Sequence, residues 1–164
     1  MRIQCQRALL FITCFCCTSI LQTLSAQTVE TAIRAVGNRY PLSKPVQLAL
    51  SPSGTKFAVA DQYGNRIYIM NTDGDLLWLI GSEIKLDLPT AVCFEQEDAI
   101  LFSLQGKPEI LRSFEKFPER IDTLATLSGK LKPFKGIDRL WKTRGNGFLL
   151  IDKSRNDVLA FDKD

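Results

Sequence analysis

Residues 45–72, PVQLALSPSGTKFAVADQYGNRIYIMNT, lie without a gap over residues 136–163, GIDRLWKTRGNGFLLIDKSRNDVLAFDK, 91 positions downstream. The superposition sets Gly54 on Gly145, Phe57 on Phe148, Asp61 on Asp152 and Asn65 on Asn156. Agreement at turn residues as well as apolar ones marks a repeated unit rather than two strands of similar composition. A third, weaker copy lies between: AILFS, ending at Ser103, stands where FAVAD ends at Asp61, and EILRSF from Glu109 stands in place of RIYIM. The units therefore recur at spacings of about 42 and 49 residues.

Each unit carries short alternating runs bounded by turn residues. The clearest copy reads VQLAL (46–50), KFAVA (56–60), RIYIM (66–70) and DLLWLI (75–80), separated by SPSG, DQYGN and NTDG. Asp-Gly at 73–74 supplies the positive φ angles of a tight hairpin, and the small residues of 56–60 suit a strand in a crowded centre. The second unit supplies 90–94, 99–103, 109–114 and 121–127; the third supplies 137–141, 148–151 and 157–161. Units of this period with four short strands each are the sequence form of a β-propeller, in which every blade buries its faces against its neighbours. The predicted fold is all-β: blades of four antiparallel strands over about 45–82, 89–128 and 136–164, a partial ring of about three. Propellers typically hold four to eight.

Ile33 to Val36, Gly37 and, eight residues later, Pro45 match Leu77 to Ile80, Gly81 and Pro89 at an offset of 44, so the sequence predicts an orphan outer strand over 31–37 at the front and a blade lacking one at the back. An N-terminal strand that completes the last blade closes many rings and removes a free edge. Two expectations follow: that the chain is the N-terminal part of a longer six-bladed protein, or that a homodimer of three-blade halves completes the ring.

Residues 1–26 read as a secretory signal, with Arg2 and Arg7 ahead of an apolar run over 8–21 and Leu24-Ser25-Ala26 as a small-residue cleavage site. The run is too short for a stable membrane span, and the chain is expected in a secreted or periplasmic compartment. Removal of the leader takes two arginines and four of the five cysteines, leaving 19 basic and 18 acidic residues and Cys93 alone. Such a near-neutral balance lacks the basic stripe that nucleic acid requires. The chain has no histidine, which removes the commonest general base and metal ligand. Cys93, within the alternating run TAVCF, reads as a small buried hydrophobe.

The segment FAVADQYGNRIYIMNTDGDLLWLIG (57–81) resembles the NHL repeat of six-bladed propellers. The resemblance rests on Asp61, Asn65, Arg66, Ile67, Asp73, Gly74 and Gly81, with Asp152, Asn156, Val158 and Asp162 repeating part of it. The third copy departs from the pattern with Asp157 in place of the arginine, and the middle copy keeps only the alternation and Gly106. The likeness implies a propeller that binds something on one face and implies no reaction.

Asp61, Asn65, Asp152 and Asn156 are read as turn-holding residues, since a carboxylate after a strand bonds nearby backbone amides. A salt link from Arg66 to a neighbouring blade and packing of Trp78 and Trp141 between blades complete the structural expectations. For ligand contact the choices are Tyr63, Phe134 and Arg155, large side chains in turns that otherwise call for small ones. The loops 62–65, 104–107 and 153–156 and the linkers 37–44, 81–88 and 129–135 are expected on one face. With no cofactor, metal site or catalytic set indicated, the leading expectation is an exported, non-catalytic propeller that binds a protein, peptide or glycan through that face. The alternative is a gluconolactonase-like or amidating-lyase-like propeller enzyme holding a divalent cation.

Overall fold

Among the described residues, alternation of period two becomes antiparallel sheet. The computed structural model describes residues 35–36, 40–127, 136–145 and 147–161, and among them there is no helix. The first blade is β3 (Pro45–Leu50), β4 (Lys56–Asp61), β5 (Arg66–Asn71) and β6 (Leu76–Ile80), hydrogen-bonded in chain order. The second is β7 (Pro89–Gln96), β8 (Ala99–Leu104), β9 (Glu109–Phe114) and β10 (Phe117–Thr126), again in order. The third has three described strands, β11 (Arg139–Lys142), β12 (Phe148–Asp152) and β13 (Asp157–Phe161). A short antiparallel ribbon, β1 (Ala35–Val36) with β2 (Tyr40–Pro41), precedes them.

The two faces of each blade go to different neighbours, because successive side chains of a strand point to opposite sides. In the first blade Ala58, Ala60, Ile67, Ile69, Trp78 and Ile80 pack against Val92, Phe94, Ile100 and Phe102 of the second. The second blade turns Ala91, Cys93, Leu101 and Ile110 towards Ile137, Leu140, Phe148 and Leu150 of the third. Each fully buried large aliphatic or aromatic side chain contributes about 1.5–3 kcal/mol, so these two interfaces hold the blades together without disulfides. Lys56 of β4 adds an ion pair to Glu115 of the second blade at 3.1 Å.

The remaining face of the first blade, with Phe57, Val59, Tyr68 and Met70, is covered by Val36, Tyr40 and Leu42. This changes the expected role of the orphan strand. Ala35 and Val36 pair with Pro41 and Tyr40, not with β13, and among the described residues β13 has no outer partner. A ribbon closed by a short connection costs little loop entropy, and it shields Tyr68 and Met70, both fully buried. Trp141 likewise departs from expectation. It is 42% exposed, on the face of the third blade that also presents Leu149 and Val158, while Trp78 is buried as read.

The repeat itself slips by one residue. Strands two and three of the outer copies keep the 91-residue offset, but Leu48 pairs with Val59 while Leu140 pairs with Leu150. Leu48 thus corresponds to Leu140 and not to Arg139, because the connection from the first to the second strand is one residue shorter in the third blade. In the second blade β10 starts at Phe117, four residues ahead of the expected 121, since the hairpin after Phe114 is a tight one. Pro118 is accommodated because β10 is an edge strand.

Candidate functional site

The turns between second and third strands are built around the repeated Asp and Asn. Asn65 and Asn156 have φ of 54° and 56°, a left-handed conformation that asparagine tolerates better than most side chains. Asp152 holds its own turn: Oδ1 accepts from the Ser154 amide at 2.9 Å and the Ser154 hydroxyl at 2.6 Å. Asp61 reaches further back. Its carboxylate, fully buried, accepts from the amides of Ser43 at 2.9 Å and Lys44 at 2.5 Å, so it ties the turn to the strand-entry segment. Gly64 lies so close that a β-carbon there would stand 2.4 Å from Asp61 Oδ2. Ser103, in the equivalent place of the second blade, donates with Thr90 to the carbonyl of Ile137, at 3.1 and 2.6 Å.

These attachments bring turns and strand entries of all three blades to one end of the sheets. Gln62 donates through its amide N–H to Lys44 O, Gln105 to Leu88 O, and Lys153 to the Asp138 carboxylate at 2.9 Å. Together they frame a recess of about 390 Å³ lined by Lys44, Val46, Gln62, Tyr63, Thr90, Gln105, Asp138, Arg139 and Lys153. A narrower cleft beside it, lined in part by Gly106, Gly136 and Asp152, shares Thr90, Gln105, Asp138 and Lys153. Asp152 Oδ2 is buried there with no hydrogen-bond partner.

Tyr63 stands on the rim, 62% exposed, with Lys44 Nζ 4.4 Å from its ring centroid. Arg155 takes no part in the recess: it forms an ion pair with Asp157 at 2.8 Å within its own turn. Phe134 lies outside the described residues. Arg66 makes no ion pair among the described residues and instead sits 4.9 Å over the Tyr40 ring. Of the other lining residues, Lys44, Gln62, Gln105 and Lys153 fall within the loops and linkers expected on one face, though none was singled out for ligand contact, and Arg139 falls outside them. Their only signal was their position at strand entries and turns.

Below the recess the inner strands are bolted together. The Gln47 amide donates to Val92 O at 2.9 Å and Leu140 O at 2.6 Å, and Oε1 accepts from Leu140 N at 3.3 Å. At the far end of the same strands Leu48, Leu50, Phe94 and Trp141 line an apolar hollow of about 320 Å³ beside Cys93. Burial pushes the Cys93 thiol up to about 12, with Glu95 adding to the effect and Lys142 opposing it. Such a thiol stays protonated and is a poor nucleophile. Among the described residues no three His, Cys, Asp or Glu side chains converge as a metal site.

No family model matches the sequence, and no curated protein matches it. Solved structures do. A luciferin-regenerating enzyme is similar with a TM-score of 0.53 at 12% identity, over 75% of this chain and 46% of that one. A nidogen/laminin complex is similar with a TM-score of 0.49 at 18% identity, over 68% of this chain and 41% of that one. The chain thus spans less than half the length of either. At 12% identity the first likeness speaks for the fold alone, and the sheets themselves make that fold an all-β partial propeller.

Proposed function

We propose that this chain is an exported, NHL-like propeller segment that binds a ligand or partner through its loop face without catalysing a reaction. The observation that carries the reading is the recess itself, to which turns from all three blades contribute and on whose rim Tyr63 stands exposed. Loops positioned by a rigid scaffold are the usual place for recognition. The buried groups below it are engaged in holding the frame: Asp61 binds two amides, and Gln47 links three strands. Screening the chain and its Tyr63→Ala variant against immobilised glycans and peptides tests the proposal. A ligand whose binding the substitution abolishes, with melting temperature unchanged, supports it; a ligand held equally by both proteins sinks it.

One observation favours a second reading, a propeller enzyme with a divalent cation of the gluconolactonase-like or amidating-lyase-like kind. Asp152 Oδ2 is buried at the cleft beside the recess and lacks a partner. Equilibrium dialysis with calcium and zinc decides between the readings. Uptake abolished by Asp152→Asn and Asp61→Asn supports the enzyme, and equal uptake by the variants retires it.

A further inference from the structure

The recess is unusual in its lining. Ligand pockets are lined predominantly by apolar side chains with a few polar ones, whereas here Val46 is the one aliphatic residue among nine. Three cations, Lys44, Arg139 and Lys153, face it against a single carboxylate, Asp138. That carboxylate is already occupied, since Oδ2 accepts the Lys153 amide at 2.9 Å. None of the three cations forms an ion pair among the described residues. Arg139 Nη1 donates to the carbonyl of Asp138 at 2.7 Å, which fixes the guanidinium at the wall. Lys44 Nζ is held by Tyr63, 3.4 Å from its hydroxyl and 4.4 Å from its ring centroid.

The neutral groups point the same way. The Gln62 and Gln105 side chains meet each other at 3.3 Å, a long bond that a better partner can replace, and each amide offers both a donor and an acceptor. Tyr63 adds an exposed ring. Such a set suits a ligand that carries negative charge, many hydroxyls and little apolar surface. A peptide would find no apolar pocket for its side chains.

Resting on the loop-face reading above, we propose that this recess binds an acidic sugar, its carboxylate held by Arg139 and Lys153 and its hydroxyls by Gln62 and Gln105, with Tyr63 as the stacking surface. The volume of about 390 Å³ fits a short oligosaccharide rather than an extended chain.

Calorimetric titration of the full chain with digalacturonate, with its neutral counterpart digalactose and with inorganic sulfate tests this. The expected result is binding of digalacturonate that weakens about tenfold or more when ionic strength rises from about 0.05 to about 0.5 M, with digalactose bound far less well. Arg139→Gln and Lys153→Gln should each weaken it about tenfold at unchanged melting temperature, and Lys153→Arg should restore most of the loss. Equal binding of digalactose overturns the proposal, as does sulfate displacing digalacturonate at equal affinity, which would mean that only the charge is read. Tighter binding of an acidic peptide, or no binding of digalacturonate, overturns it too. In either case a Tyr63-dependent ligand found by screening leaves the loop-face reading intact, so the two failures are distinguishable.

Discussion

Gln47 and Leu140, 93 residues apart in sequence, exchange two hydrogen bonds: Nε2 donates to the Leu140 carbonyl at 2.6 Å and Oε1 accepts from its amide at 3.3 Å. Since the same amide also reaches Val92 O, one buried side chain fixes the spacing of three inner strands. Replacing Gln47 by Leu leaves those backbone groups unpaired, which costs about 1–3 kcal/mol for each orphaned group. Urea unfolding should show a loss of at least about 2 kcal/mol; a midpoint within error of the wild type would contradict the linking role.

Asp61 and Gly64 form a second tight pair. An alanine at 64 would drive its β-carbon to 2.4 Å from the carboxylate, so Gly64→Ala should destabilise the chain by about 1–3 kcal/mol. In an Asp61→Ala background the same change should cost much less. A double-mutant cycle measures the coupling, and additive losses would show that the glycine answers to something else.

Cys93 predicts an alkaline effect of definite sign. With the folded thiol up at about 12 against an ordinary value of 9.0, the unfolded chain loses this proton first. Its contribution is therefore complete below about pH 9 and declines between there and about 12, by about 1.4 kcal/mol per pH unit. The stability profile of Cys93→Ala should lack that share of the decline. Iodoacetamide at pH 8 should leave native Cys93 unmodified and label it in urea; rapid native labelling would overturn the burial argument.

Glu119 acts at the acid end. Although partial burial raises its pKa, hydrogen bonds from the Ser82 hydroxyl and from the amides of Ile84 and Ser82 hold it below the ordinary carboxylate value. A depressed carboxylate stabilises the fold above its unfolded pKa, and the contribution disappears as pH falls through the folded value. Glu119→Gln should reduce stability at neutral pH and flatten the acid limb. Amide exchange at Ser82 and Ile84 should quicken in the variant; unchanged protection there would count against the clamp.

The face of the third blade that presents Trp141, Leu149 and Val158, at 42, 39 and 69% exposure, borders β13, which has no outer partner among the described residues. Such a surface invites association. Light scattering of the chain should show mass rising with concentration, and Leu149→Lys with Val158→Lys should return it to a monomer. A concentration-independent monomer in the unmodified chain would refute this.

Much of this architecture could be read in advance because alternation and turn chemistry are local. Asp61, Asn65, Asp152 and Asn156 advertised their turns by residue type, and most strand limits fell within two residues. What escaped depends on distance in sequence. The slip that sets Leu48 on Leu140 arises from one residue fewer in a loop, which an ungapped match at Gly54 and Gly145 conceals. The partners of Gln47 lie 45 and 93 residues away, and no periodicity reports them. For the same reason the recess cations Lys44, Arg139 and Lys153 were not singled out: only the convergence of three blades makes them neighbours. Tyr63, a large ring in a turn of small residues, stands on the rim of the recess, whereas Arg155, which answers the same description, pairs with Asp157.

The ribbon over the first blade gives the molecule a polarity. Among the described residues Val36, Tyr40 and Leu42 already occupy the surface around Tyr68 and Met70, so a third blade from another copy cannot settle there. Head-to-tail stacking, the route by which sticky repeats grow into filaments, would have to displace that ribbon first.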